Sequence, residues 1–168
     1  MSSNEYPPLQ LAAELSQRVN DAWTDGSFLD SVTPITRNLL TYWFSPAYRD
    51  YRAVNFHEGQ EQAIKNIIYL HEVLKVKQVP DIYEQIDQQL LVAKGMLSLA
   101  RLHDEIYAHP KYAVKMATGT GKTWVLEAIL IWQYLNAKHG MSGKFTANFL
   151  VVAPGLIVYE RLLDAFQG

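Results

Sequence analysis

The chain contains no cysteine, which excludes disulfides, thiol nucleophiles and thiolate metal sites together. It also lacks a long apolar run. The best candidate, Trp124 to Leu135, is too short to span a bilayer and is interrupted by Glu127 and Gln133, so no membrane partner is expected. The amino terminus, Met1-Ser2-Ser3-Asn4-Glu5-Tyr6-Pro7-Pro8, has no basic start followed by an apolar stretch. No secretory leader is expected, and the cytoplasm is the default compartment. An excess of one charge sign is missing too: 15 Lys and Arg stand against 17 Asp and Glu, and the pI is near 6.2. No global basic surface for nucleic acid follows from that balance, so any such contact has to be local, made by backbone groups or supplied by other parts. His57, His71, His103, His109 and His139 show no zinc-ligand spacing. No internal repeat or low-complexity segment is visible.

What is present is ample core material, with 49% hydrophobic residues, ten Tyr and four Trp in 168 residues, enough for one compact domain. Leu11, Leu15, Val19 and Ala22/Trp23 recur at helical spacing and predict a helix over about 9–23, ended by Asp25-Gly26-Ser27. Thr33 reads as an N-cap with Pro34 at the first helical position, and Ile35, Leu39, Leu40, Trp43 and Phe44 form the next apolar stripe. A third helix is predicted over 58–77, with Ala63, Ile64, Ile67, Ile68, Leu70 and Leu74 on its apolar face and Pro80 as its stop. Residues 81–108 read as one or two further helices using Ile82, Ile86, Leu90, Leu97, Leu102 and Ile106, with Gly95 as a break. Two apolar runs, 112–116 and 148–153, read as buried strands, with a helix over 122–138 between them and another over 156–166.

Between the first of those strands and the 122–138 helix lies Met116-Ala117-Thr118-Gly119-Thr120-Gly121-Lys122-Thr123, the pattern of a phosphate-binding loop in the strand, loop, helix context that such a motif requires. Gly119 and Gly121 let the backbone curl so that amide N–H groups point at phosphate oxygens. The helix N-terminus adds unpaired N–H groups and a positive dipole end. Lys122 is placed to reach the β- and γ-phosphates and the Thr123 hydroxyl to ligate Mg²⁺. Nucleotide binding, with ATP and Mg²⁺ as cofactors, is therefore the expectation. The two strands should pair in parallel with the 122–138 helix as a right-handed crossover. The fold class expected is α/β: an incomplete P-loop (RecA-like) doubly wound parallel sheet preceded by a helical N-terminal region.

Four blocks in order resemble the restriction (Res) subunit of type III restriction enzymes and its relatives among superfamily 2 helicase-like ATPases. They are residues 32–44 (VTPITRNLLTYWF), 59–64 (GQEQAI), 115–123 (KMATGTGKT) and 149–156 (FLVVAPGL). Met116 stands where the general loop pattern has glycine, and it fits the superfamily 2 variant, whose first loop residue is often not glycine. The resemblance implies a helical extension over 1–56, then the N-terminal part of a first ATPase lobe over 57–168 with a helical segment at about 80–109, ending before the Walker B motif. It implies catalytic roles for Lys122 and Thr123 and nucleotide contacts from Gln60, Thr118, Gly119, Thr120, Gly121, Lys122 and Thr123, with Thr123 also on the metal. Gln60 would face the adenine edge, where a side-chain amide donates and accepts at once. Phe56 either stacks near adenine or serves as a packing staple at a helix start. Ala153, Pro154 and Gly155 resemble the motif that contacts the nucleic-acid backbone, although a strand-to-helix turn explains them nearly as well.

The function implied is that of an N-terminal segment of an ATP-dependent DNA translocase or restriction endonuclease subunit, acting on duplex DNA with a modification methyltransferase subunit as partner. Two alternatives stand beside it: part of a stand-alone helicase-like ATPase without nuclease, and a non-catalytic α/β interaction module. No Asp-Glu-x-His or Asp-Glu-x-Asp sequence occurs in the chain, so these residues alone are expected to bind ATP without turning it over at a motor-like rate. Strand edges left open by so short a sheet are expected to favour self-association.

Overall fold

The computed structural model describes residues 7–87, 105–109, 111–141, 143–153 and 155–167. Helix α1 is Pro7–Thr24, α2 is Ser27–Ser31, α3 is Pro34–Phe44, α4 is Pro46–Arg49 and α5 is Glu58–Ile68. Helix α5 runs on into a π-helical turn, Tyr69–Val73, before α6, Val79–Ile86. A 3₁₀ turn at Glu105–Tyr107 precedes α7, Lys122–Asn136, which continues into a second π-helical turn at Ala137–Met141, and α8 is Leu156–Gln167. The expected helical positions Leu90, Gly95, Leu97 and Leu102 lie outside the described residues.

The chain forms two compact units, each drawn from two separated stretches. The first comprises Met1–Thr33 and Gln62–Lys115. Its core uses the α1 stripe at Leu11, Leu15, Val19 and Ala22 together with Phe28, Ile64, Ile68, Tyr69, Leu70, Ile82 and Ile86. Phe28 is fully enclosed, with its ring edge-on to both Trp23 and Tyr69. Lys65 is buried here, its ammonium 3.6 Å from the centre of the Trp23 ring, so the quadrupole of the indole offsets part of its lost hydration. Arg18 donates to the carbonyls of Gln85 and Ile86 at 2.6 and 3.5 Å, placing a cation on the free acceptors at the end of α6. The start of α6 is closed by Gln78 and Asp81 in a capping box. Burial alone would raise the Asp81 pKa, but the N–H groups of Lys77 and Gln78 outweigh it and hold that carboxyl below its usual range.

The third helix is shorter than its hydrophobic period suggests. Beyond Ile68 the hydrogen bonding slips by one residue, with the Leu74 N–H donating to the Tyr69 carbonyl, and Lys75 then takes a positive φ of 55°. The chain is thus turned before Pro80 is reached.

The second unit comprises Pro34–Glu61 and Met116–Gly168. Helix α7 buries Val125, Ala128, Trp132 and Asn136, which share one face at helical spacing, and α3 packs on that face with Thr36, Leu40, Trp43 and Phe44 buried. At the centre of this pairing the Thr36 hydroxyl accepts two 3.0 Å bonds, one from the Trp132 indole N–H and one from the Asn136 amide. Phe145, itself buried, meets Trp132 edge to face at 5.6 Å.

The expected sheet is absent: among the described residues there is no strand, so the doubly wound α/β class and the parallel pairing of 112–116 with 148–153 are overturned. The 122–138 crossover is present as a helix but has no parallel pair to cross between. The physical reason lies in pairing rather than propensity. An apolar β-prone run becomes a strand only when a neighbour takes up its N–H and C=O groups, and a two-stranded ladder is marginal in water. Both runs are irregular, and Phe149, Leu150, Val151 and Val152 are all exposed, Leu150 by 89%. No described helix is long and apolar enough to cross a membrane.

Candidate nucleotide-phosphate site

The site belongs to the second unit, and its frame is set at two helix starts. Helix α7 opens from Gly121, whose left-handed φ of 69° and ψ of 45° turn the chain sharply into the first helical residue, Lys122. Gly119, two residues earlier, is also left-handed at φ 82°. A side chain is strained at either position. In the first turn of α7 the Trp124 N–H donates to the Gly121 carbonyl at 3.1 Å; the N–H groups ahead of it have no acceptor within the helix, and no acidic residue lies in that turn to neutralise them. An anion is the natural complement of such an end.

The loop curls around one carbonyl. The Ala117 oxygen accepts from the Thr120 N–H at 3.4 Å, from the Thr120 hydroxyl at 2.7 Å and from the Lys122 ammonium at 2.9 Å. Lys122 therefore folds back across the loop on its exposed side. Thr118, Gly119 and Lys122 are exposed, while Thr120, Gly121 and Thr123 are half-buried.

The second helix start supplies Gln60. It is the third residue of α5, the position from which a Gln reaches back to the N-cap, and its carbonyl oxygen accepts from the His57 N–H at 2.8 Å. That anchor aims the amide at the glycine loop, where it donates to the Thr120 carbonyl at 2.9 Å and the Gly121 carbonyl at 3.2 Å. The side chain is 4% exposed, and a Cβ built on Gly121 would collide with its amide nitrogen. Arg49 steadies the approach to α5, donating to the Phe56 carbonyl at 3.0 Å and pairing with Glu61 at 3.4 Å.

The structure thus brings Gln60 together with the Thr120 and Gly121 backbone, and Lys122 with Ala117. Phe56 is buried, edge-on to Trp43, Phe44 and Trp124 at centroid separations of 5.6 to 6.0 Å. Its ring serves as packing. Ala153 and Gly155 stand elsewhere, at the start of α8, where the Gly155 carbonyl accepts the Tyr159 N–H; Pro154 lies outside the described residues. No group of His, Asp or Glu among the described residues is arranged to hold a metal ion. Glu127, one turn beyond Thr123, lines an apolar groove with Leu130, Ile131, Tyr134, Leu135, Phe149 and Phe166, and burial raises its pKa. The Tyr112 hydroxyl is buried without a hydrogen-bond partner, and burial likewise raises its pKa.

Sequence reasoning missed two participants. The Ala117 carbonyl has no signature, since any residue provides one. Trp124 was legible as the residue following the Lys-Thr pair, but it was read only as part of a helix.

The family model for the type III restriction enzyme res subunit matches residues 53–168, and the chain belongs to that family. The match takes in both Gln60 and the whole glycine loop. Membership brings the helicase-like, ATP-dependent character of restriction subunits, together with an interaction with DNA at the level of the family. ATP and Mg²⁺ are the cofactors that family generally uses. No curated protein and no solved structure matches the chain.

Proposed function

We propose that residues 116–123 hold the phosphates of ATP, in a chain that serves an ATP-dependent translocase or restriction endonuclease subunit acting on duplex DNA. The observation that carries this reading is the left-handed Gly121 at the head of α7 with Lys122 beside it, inside the segment matched to the res-subunit family. The residues present fit a polyphosphate: a loop with two left-handed glycines, first-turn N–H groups, a lysine and no competing carboxylate. Lys122 would supply mobile positive charge, the N–H groups of Thr118, Gly119 and Gly121 would supply donors, that of Thr120 already bonding the Ala117 carbonyl, and the Thr123 hydroxyl would be the metal ligand. Bound Mg²⁺ would contribute neutralisation of phosphate charge. Gln60 reads the base edge only by giving up a bond to the loop, since both its amide protons are engaged. DNA backbone contact belongs to Ala153, Pro154 and Gly155, and the partner in the complex is a modification methyltransferase subunit in the cytoplasm.

Calorimetric titration of ATP and ADP into the protein and its Lys122→Ala variant tests this. Loss of one charge-assisted bond should weaken binding by about tenfold to a hundredfold, with the helical circular dichroism signal unchanged. Equal affinities in the two folded proteins would remove the role given to Lys122. The chain by itself should release phosphate slowly with or without duplex DNA, since it contains no Asp-Glu-x-His or Asp-Glu-x-Asp sequence to hold metal and orient water.

A further inference from the structure

We propose that Trp124 is the platform on which the base of the nucleotide stacks. The inference rests on the phosphate-site reading above and adds a surface for the face of the base. Trp124 follows directly on Lys122 and Thr123, and its N–H donates to the Gly121 carbonyl at 3.1 Å. The indole Cδ1 lies 3.7 Å from where a Cβ on Gly121 would sit, so the ring borders the loop itself. It is 44% exposed, an open indole beside a candidate ligand site.

The ring is also held in place. It meets Phe56 edge to face at 6.0 Å and 86°, and Phe56 in turn is packed against Trp43 and Phe44. A ring supported in this way gives up little freedom when a base lies on it. The alternative aromatic, Phe56, is buried within that cluster and has no surface to offer. Gln60 is engaged at both ends, its oxygen with His57 and its amide protons with the loop carbonyls. Stacking on Trp124 needs none of those bonds broken. A bicyclic purine overlaps an indole more fully than a single-ring pyrimidine does, which sets the preference.

The test separates base from phosphate. ATP, CTP and inorganic tripolyphosphate are titrated into the protein and into Trp124→Ala, Trp124→Phe and Trp124→Leu. Loss of one stacked base lowers affinity by about tenfold to a hundredfold. That loss is expected for ATP in the Ala and Leu variants, with tripolyphosphate unchanged and Phe restoring most of the ATP affinity. CTP should bind the parent protein more weakly than ATP and lose less on substitution. Leu keeps apolar bulk over Phe56 and decides the matter where Ala fails to fold. Equal losses for ATP and tripolyphosphate, or none for ATP, overturn the proposal. An ATP loss in the Trp124 variants beside an indifferent Lys122→Ala would overturn the phosphate reading while leaving the stacking in place; no ATP binding by the parent protein overturns both.

Discussion

Gly121 is where two demands on one residue coincide. Its φ of 69° calls for a backbone without a Cβ, and the Gln60 amide occupies the space a Cβ would take. Gly121→Ala should therefore lower stability by about 1–2 kcal/mol from the left-handed backbone alone, with a further loss as Gln60 is pushed off the two carbonyls. Urea denaturation followed by circular dichroism measures it. Adding Gln60→Ala removes the collision, so the double variant should be destabilised by less than the sum of the two single ones. Strict additivity would mean that the amide and the glycine do not meet. At this scale the sequence was a guide to conformation, both glycines taking the left-handed backbone their type permits, and a poor one to partners. Both glycines and Lys122 follow from residue type, because conformational freedom and charge are properties of the residue. That Gln60 braces the loop depends on the His57 N–H turning it there, and a side chain's choice among acceptors is a property of the fold.

At the scale of elements, the α3 and α7 pairing turns on a hydroxyl. Thr36 is completely buried and accepts from both Trp132 and Asn136. Thr36→Val keeps the shape and deletes the acceptor, so two donors on α7 face a methyl group. The Asn136 amide keeps its bond to the Trp132 carbonyl at 2.9 Å, so the expected cost is that of one to two weakened donors, about 1–3 kcal/mol in all, read as a lower denaturation midpoint, whereas Thr36→Ser should retain most of the stability. A Val variant as stable as the parent protein would show that other groups satisfy both donors. The helices themselves were legible, since Leu11, Leu15 and Val19 on α1 and Leu40, Trp43 and Phe44 on α3 are buried as their spacing requires. The strands were not. Periodicity reports which side of a segment is apolar, but a strand also needs a partner backbone, and no local pattern in 112–116 or 148–153 encodes whether one arrives. The π-helical slip after Ile68 escaped for a related reason, the apolar face continuing across it through Leu70 and Leu74.

For the molecule as a whole, the consequence of unpaired segments is exposed hydrophobic surface. Leu150 and Val152 are 89% and 80% exposed, and Leu156 and Ile157 at the start of α8 are open as well. So many large apolar side chains close in sequence and open to solvent favour association. Light scattering coupled to gel filtration should show a mass that rises with concentration, and a Leu150→Lys, Val152→Lys double variant should shift it toward monomer without loss of helicity. A constant monomer mass across a wide concentration range would contradict this. The family was legible from short blocks tied to chemistry, three of which, 59–64, 115–123 and 149–156, fall within the matched residues. The fold was less so, because the blocks say what surrounds a phosphate and little about what covers an apolar run.

That the second unit is drawn from two separated stretches bears on how the chain can be divided. The family match begins at residue 53, yet α3 at 34–44 supplies the hydroxyl that anchors Trp132 and the rings that hold Phe56 under Trp124. Excising the matched segment would leave behind Thr36, Leu40, Trp43 and Phe44, the α3 side chains buried behind the glycine loop. Helix α3 is therefore part of the same packing as the matched segment: the helix that carries Lys122 is completed from the other side of the family boundary.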